Sequence, residues 1–221
     1  MIENRHIGAV PEVEQPIPPA LQEEFVTGVY SSLDRATACE LARLRRENGI
    51  IPTCRSGCSH CCRYHILTNI AEAHTLVQYI RRKFSAAQIS DLRMRTQQWH
   101  EWDNSRPGRP AAIITELTDL SNYVHSCPFV VDGACSVYPV RPVVCRTHFV
   151  CSPAQACRAT NDPAATDAAP HVLKSVIHAA SPFTMEIRDH VEKAGLDFSR
   201  STMLLPQCLA VEMGWDFAIA P

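Results

Sequence analysis

The stretch Cys54-Arg-Ser-Gly-Cys58-Ser-His-Cys61-Cys62 places four thiols within nine residues. A buried cysteine packs as a small hydrophobe, a role that Ala or Val can fill, so packing does not explain this density. Thiolates this close together are ligands for a soft metal ion or a metal–sulfur cluster. The spacings are x3, x2 and x0. In a helix or a tight turn Cys58 and Cys62 share a face, with Cys61 in the same turn. Cys61 and Cys62 point in different directions. That suits a polynuclear site, or two adjacent sites, better than one small ion.

A second set follows: Cys127-Pro-Phe-Val-Val-Asp-Gly-Ala-Cys135-Ser-Val-Tyr-Pro-Val-Arg-Pro-Val-Val-Cys145-Arg146. Asp132-Gly133, between Val130-Val131 and Val137-Tyr138, is a two-residue hairpin signal. A hairpin would bring Cys127 and Cys135 together at its open end. Pro142 suits the first turn of a short helix that carries Cys145. Three further thiols can then converge on the first four. Phe129 and Tyr138 are expected to pack the hairpin onto helices, and Asp132-Gly133 is turn chemistry rather than a catalytic acid.

The run CxxxCxxCC followed by CPFxxxGxCxxYxxRPxxCR resembles the YkgJ-type cysteine-cluster family, described as a zinc- or iron-chelating domain. The wider family includes flagellin lysine N-methylase. The residues that carry the resemblance are Cys54, Cys58, Cys61, Cys62, Cys127, Pro128, Phe129, Gly133, Cys135, Tyr138, Arg141, Pro142, Cys145 and Arg146. They span about residues 54 to 150. The resemblance implies metal binding and leaves both the metal and the reaction open.

Ligand counting frames the chemistry. A structural zinc takes four ligands, and so does a [4Fe–4S] cluster. The two motif halves supply seven thiols, and Cys151 or Cys157 would bring eight, enough for two four-ligand sites. Otherwise one of the seven is not a ligand, or the nuclearity is unusual. His65 and His148 are further nitrogen candidates, or hydrogen-bonding neighbours of ligands. Thiolate donors suit both zinc and iron–sulfur clusters. The adjacent cysteines favour iron–sulfur, with Zn2+ as the alternative. Neighbouring thiolates concentrate negative charge, which nearby cations offset. Arg55, Arg63, Arg141 and Arg146 stand in sequence to do so. Arg141 and Arg146 belong to the motif and are the candidate cofactor-binding cations, able to tune a cluster or to hold a substrate carboxylate. The alternative for these arginines is ordinary surface ion pairing, which contributes little.

The elements that must position these groups are helical. Leu21, Phe25, Val29, Leu33, Ala36, Leu41 and Leu44 recur at threes and fours, predicting a helix from Pro19 to Asn48 that Gly49 stops. Cys39 lies inside it and reads as a small core residue. Asn69 and Glu72 form one capping-box pattern and Ser85 and Gln88 another. They open a helix through Ile70, Val77, Ile80 and Phe84, and a second through Leu92, Trp99 and Trp102 that ends at Arg106 to Pro110. The pair reads as an αα-hairpin between the cysteine sets. Ala111 to Val124 reads as a further helix. Residues 159 to 170 read as a surface loop, His171 to Ala180 and Pro182 to Ala194 as two helices, and Ser199 to Gly214 as a last short helix with Cys208. Residues 1 to 18, with Pro11, Pro16 and Pro18, read as an extended arm.

The expectation is a mainly α-helical single domain over 19–221 with one small β-hairpin, its cysteine segments wrapped around one or two metal centres. A net charge of −2 gives no global pull toward nucleic acid or an anionic membrane. No secretory h-region and no membrane-length apolar run is present, so the expected location is cytoplasmic. In a reducing compartment eleven cysteines fit a metal site better than a disulfide framework. The leading function is an iron–sulfur or other iron protein, an oxidoreductase or transferase acting in a redox or modification reaction on an unidentified substrate or protein partner. The alternatives are a zinc-stabilised binding module without catalysis, a protein lysine methyltransferase-like enzyme, and metal storage or delivery. P-loop, GxGxxG, HExxH and GxSxG signatures are absent. CxxxCxxC matches the radical S-adenosylmethionine core formally. The short chain, the missing strand–helix alternation and the immediate Cys62 argue against that class.

Overall fold

A computed structural model describes residues 22–106, 125–160, 162, 164, 165 and 168–217. The arm expected over 1–18 and the helix expected over Ala111 to Val124 lie outside them. The described chain is mainly helical: α1 (Glu23–Asn48), α2 (Ile70–Lys83), α3 (Ala86–Ser105), α4 (Val143–Thr147), α5 (Lys174–Lys193) and α6 (Leu205–Met213). Strands β1 (Leu67–Thr68) and β4 (Met203–Leu204) form one antiparallel pair, and β2 (Val130–Val131) and β3 (Ala134–Cys135) form another. Among the described residues, no helix is long and apolar enough to cross a membrane.

Helix α2 is the central element. Its first turn and both flanks are buried: Ile70, Ala71, Glu72, Ala73, Thr75, Leu76, Val77 and Ile80. One side joins α1 and α5, where Val26, Val29, Tyr30 and Leu33 meet Ala180, Ile187 and Val191. The other side joins α3 and α6, where Leu76, Val77 and Ile80 meet Leu92, Leu205 and Leu209. Burying one such aliphatic side chain contributes about 1.5–3 kcal/mol, so these two cores hold the helices together. Phe129, Val137 and Val140 extend the second core into the hairpin region.

Gly49 stops α1 in the left-handed conformation at φ 66°, as expected of a glycine C-cap. Ser85 and Gln88 form the expected capping box. Three expectations are corrected. Cys39 is exposed on α1, not a core residue, because the buried stripe runs through Thr37 and Leu44 instead. The two helices expected to either side of Pro182 are one, α5. An interior proline costs about 3 kcal/mol, yet Val176, Ala180, Ile187 and Val191 bury along the same helix and outweigh it. The β1–β4 pairing, Leu67 opposite Leu204, was not anticipated from the sequence; two-residue strands carry too little alternation to register.

The third correction concerns Glu72. Asn69 caps α2 as expected, its side chain accepting from the Ala71 and Glu72 amides. The Glu72 carboxylate does not complete the box. It turns inward and accepts four hydrogen bonds: from the Tyr30 hydroxyl at 3.1 Å, the Asn69 amide group at 2.8 Å, the Thr68 hydroxyl at 3.3 Å and the Val143 backbone N–H at 2.7 Å. Burial pushes this carboxyl up from its ordinary range, while Val143, Tyr30, Thr68 and the Arg146 charge pull it back. Burial and Glu72 together hold Tyr30 well above the usual phenol range, so it remains a donor. Glu72→Ala strips four buried donors of their acceptor and is expected to cost at least about 3 kcal/mol in denaturant unfolding. Glu72→Gln retains one acceptor oxygen and should fall between that variant and the parent. Equal stability of all three would show that the network carries no weight.

Candidate metal centre

The first cysteine run forms consecutive tight turns rather than a helix. Cys58 N–H donates to Arg55 O at 3.1 Å, Cys62 to Ser59 O at 3.0 Å and Tyr64 to Cys61 O at 3.1 Å. Gly57, at φ 82°, makes the reversal that a side chain would strain. The second set docks onto the first through its backbone, with Cys127 N–H donating to Cys62 O at 2.7 Å. The expected hairpin is present: Val130 pairs with Cys135, Val131 with Ala134, and Asp132 and Gly133 sit at φ 49° and 76°. Pro142 precedes α4, whose first turn carries Cys145.

These pieces enclose one cavity of about 90 Å³. Six thiols line it: Cys58, Cys61, Cys62, Cys127, Cys135 and Cys145. His65, His148, Tyr64 and Arg141 stand on the same wall. The space holds a handful of waters, or a small inorganic group. Burial raises the thiol pKa of Cys54, Cys127, Cys135, Cys145 and Cys157, and the neighbouring Cys61 adds to the rise in each. The Cys61 thiol is itself pushed far up, first by its hydrogen bond with Cys62 and then by burial.

Backbone amides aim at several of these sulfurs. Val150 N–H reaches Cys54 Sγ at 3.3 Å. The amides of Phe129 and Val137, each two residues beyond a cysteine, hydrogen-bond Cys127 and Cys135 and lower their thiol pKa against burial. Donors of this kind favour the thiolate form, the form that binds metal. At the cavity wall, His148 Nε2 and Arg141 Nε are buried without a hydrogen-bond partner. Arg141 stacks on the Tyr138 ring at 3.9 Å, so Tyr138, about 39% exposed, supports the arginine more than the core. Thiols, an unpaired imidazole nitrogen and an unpaired guanidinium nitrogen fit a thiolate-bound metal centre. The thiols surround the cavity rather than meet at a point: among the described residues, no three Cys, His, Asp or Glu side chains stand close enough to close on one ion.

Four candidates from the sequence, Cys54, Cys151, Cys157 and Arg146, do not line the cavity. Cys151 packs beside Leu44, Leu173 and Val176, and its thiol faces His171 O at 3.7 Å. Arg146 is buried and its guanidinium is committed elsewhere. It bonds Asp34 Oδ2 at 2.7 Å, Arg141 O at 2.8 Å and Pro139 O, and lies 4.1 Å over the Tyr30 ring. In place of binding a cofactor, it clamps the turn between Cys135 and Cys145. Cys54 and Cys157 stand beside the cavity, close enough to feel Cys58 and Cys61. Tyr64, which carried no motif signal, links to Thr160 at 2.7 Å and to the Cys157 thiol.

No family model matches the chain, and neither does any curated protein or any solved structure. Arg146→Lys keeps the charge but cannot reach two carbonyls and Asp34 at once. It is expected to lose about 1–3 kcal/mol in urea unfolding. Wild-type stability in this variant would show that the fork geometry is dispensable.

Proposed function

We propose that the protein is a metal-cluster protein that holds an iron–sulfur centre, of [4Fe–4S] type, through its clustered cysteines and acts in a redox or modification reaction. The observation that carries this reading is the lining of one small cavity by six thiols from three separate chain segments. Thiols spread around a cavity suit a cluster whose corners each take one sulfur better than they suit a single tetrahedral ion. Cys61, Cys62, Cys127, Cys135 and Cys145 are the first candidates, with Cys58, Cys54 and Cys157 as the remaining donors. A bound cluster would supply electron transfer, or catalysis at an iron left open.

The chain's own residues serve such a centre in definite ways. The Phe129, Val137 and Val150 amides orient sulfurs and favour their charged form. Arg141 places positive charge beside them, its planar group held over the Tyr138 ring.

 His148 holds an imidazole nitrogen at the wall with no other partner. All eleven cysteines are free thiols, which fits a reducing, cytoplasmic location. The motif's resemblance to the YkgJ-type family supports metal chelation and is silent on the substrate.

Metal and acid-labile sulfide content, with the visible spectrum, test the proposal on protein purified without oxygen. The expected result is iron with matching sulfide and a broad visible absorption that bleaches on reduction. Cys61→Ser, Cys135→Ser and Cys145→Ser should each lose it, while Cys39→Ser and Cys151→Ser keep it. Stoichiometric zinc in a colourless protein would overturn the iron–sulfur reading and leave a zinc-held scaffold. Full loading in all the cavity variants would overturn metal binding at this site.

A further inference from the structure

Outside the thiol cavity lies an open groove of about 460 Å³. Its lining includes Ser59, His60, Arg63, Ser126 and Arg158, and it meets the thiol cavity at Cys62, which lines both. None of the described residues lining the groove is acidic. Arg43, Arg82, Arg106, Arg146, Arg188 and Arg200 each pair with a carboxylate. No ion pair forms at Arg63 or Arg158 among the described residues, as at several other arginines, but these two line one groove. Arg158 instead donates its Nε–H to His60 Nδ1 at 2.9 Å. That bond fixes the Arg158 fork beside the groove and leaves its terminal nitrogens for another acceptor.

We propose that this groove binds the phosphate group of a small anionic ligand and holds that ligand beside Cys62. Two guanidiniums and two serine hydroxyls offer more donors than the two oxygens of a single carboxylate can use. A phosphate presents three or more acceptor oxygens and takes arginine bidentately. The groove's volume lies within the range of small-molecule sites. The absence of a lining carboxylate removes the usual repulsion toward an anion. This goes beyond the metal-cluster reading and holds for whichever metal the thiols bind. The competing role for Arg63 is to offset thiolate charge, and the test separates the two.

The full chain, purified without oxygen and with its metal in place, is titrated with inorganic phosphate by isothermal calorimetry at fixed ionic strength. The expected result is saturable one-site binding. Arg63→Gln and Arg158→Gln should each weaken it at least fivefold with metal content unchanged, and Arg188→Gln, on the exposed face of α5, should leave it as in the parent. Acetate should compete at least tenfold more weakly than phosphate. The proposal is overturned by no saturable phosphate binding, by parent-level binding in both groove variants, or by acetate competing as well as phosphate. It is also overturned if Arg63→Gln loses the metal while Arg158→Gln binds phosphate normally, because the cation would then serve the thiols.

Discussion

A buried carboxylate with four donors holds the architecture together. Glu72 sits on the first turn of the central helix and ties it to Tyr30 on α1, Thr68 on β1 and the first amide of α4. An ionisable group in such a place is costly unless its acceptors are filled. Filling them requires α1, α2, β1 and α4 to be in place together. The network continues outward: Tyr30 lies under Arg146, and Arg146 reaches Asp34 and the carbonyls of Pro139 and Arg141. One polar chain therefore runs from the middle of the helical body to the loop that presents Cys135, Arg141 and Cys145.

That chain matters because the thiol-bearing pieces have little core of their own. They are consecutive turns, a hairpin with two residues per strand and a five-residue helix. Hairpins of this size are marginal alone. They are held on one side by the Glu72–Arg146 network and on the other by Phe129, Val137 and Val140 in the second core. A metal bound among the thiols would cross-link the same pieces, so its binding energy would add to the folding energy of this region. Burial pushes the Cys127 and Cys145 thiols up, and it has the same effect on Cys208, pushed up to about 12 outside the cavity lining. High thiol pKa is therefore a property of burial here. The convergence of sulfurs and of amides aimed at them distinguishes the cavity.

Much of this was legible in the sequence, for reasons that differ by element. The long helices declared themselves through apolar periodicity and through Gly49, Asn69 and Ser85 at their ends. The hairpin followed from Asp132-Gly133, since both positions need a positive φ that these residues tolerate. The grouping of the thiols followed from their density. What the sequence concealed was long-range. Glu72 looked like a cap because Asn69 stands three residues before it, and nothing local shows that Val143 and Tyr30 approach from elsewhere. Arg146 looked like a cofactor cation because it belongs to the cysteine motif, whereas its partners are Asp34 and two carbonyls. Cys151 looked like a ligand by proximity in sequence, but its backbone pairs with His171 and carries it toward Leu173.

Iron K-edge X-ray absorption on anaerobically purified protein tests the central claim most directly, because it reads what surrounds the metal. A cluster held by these cysteines gives iron with a first shell of sulfur and a second shell of neighbouring iron. A first shell of oxygen or nitrogen, or iron with no iron neighbour, would contradict a cluster held by the converging cysteines.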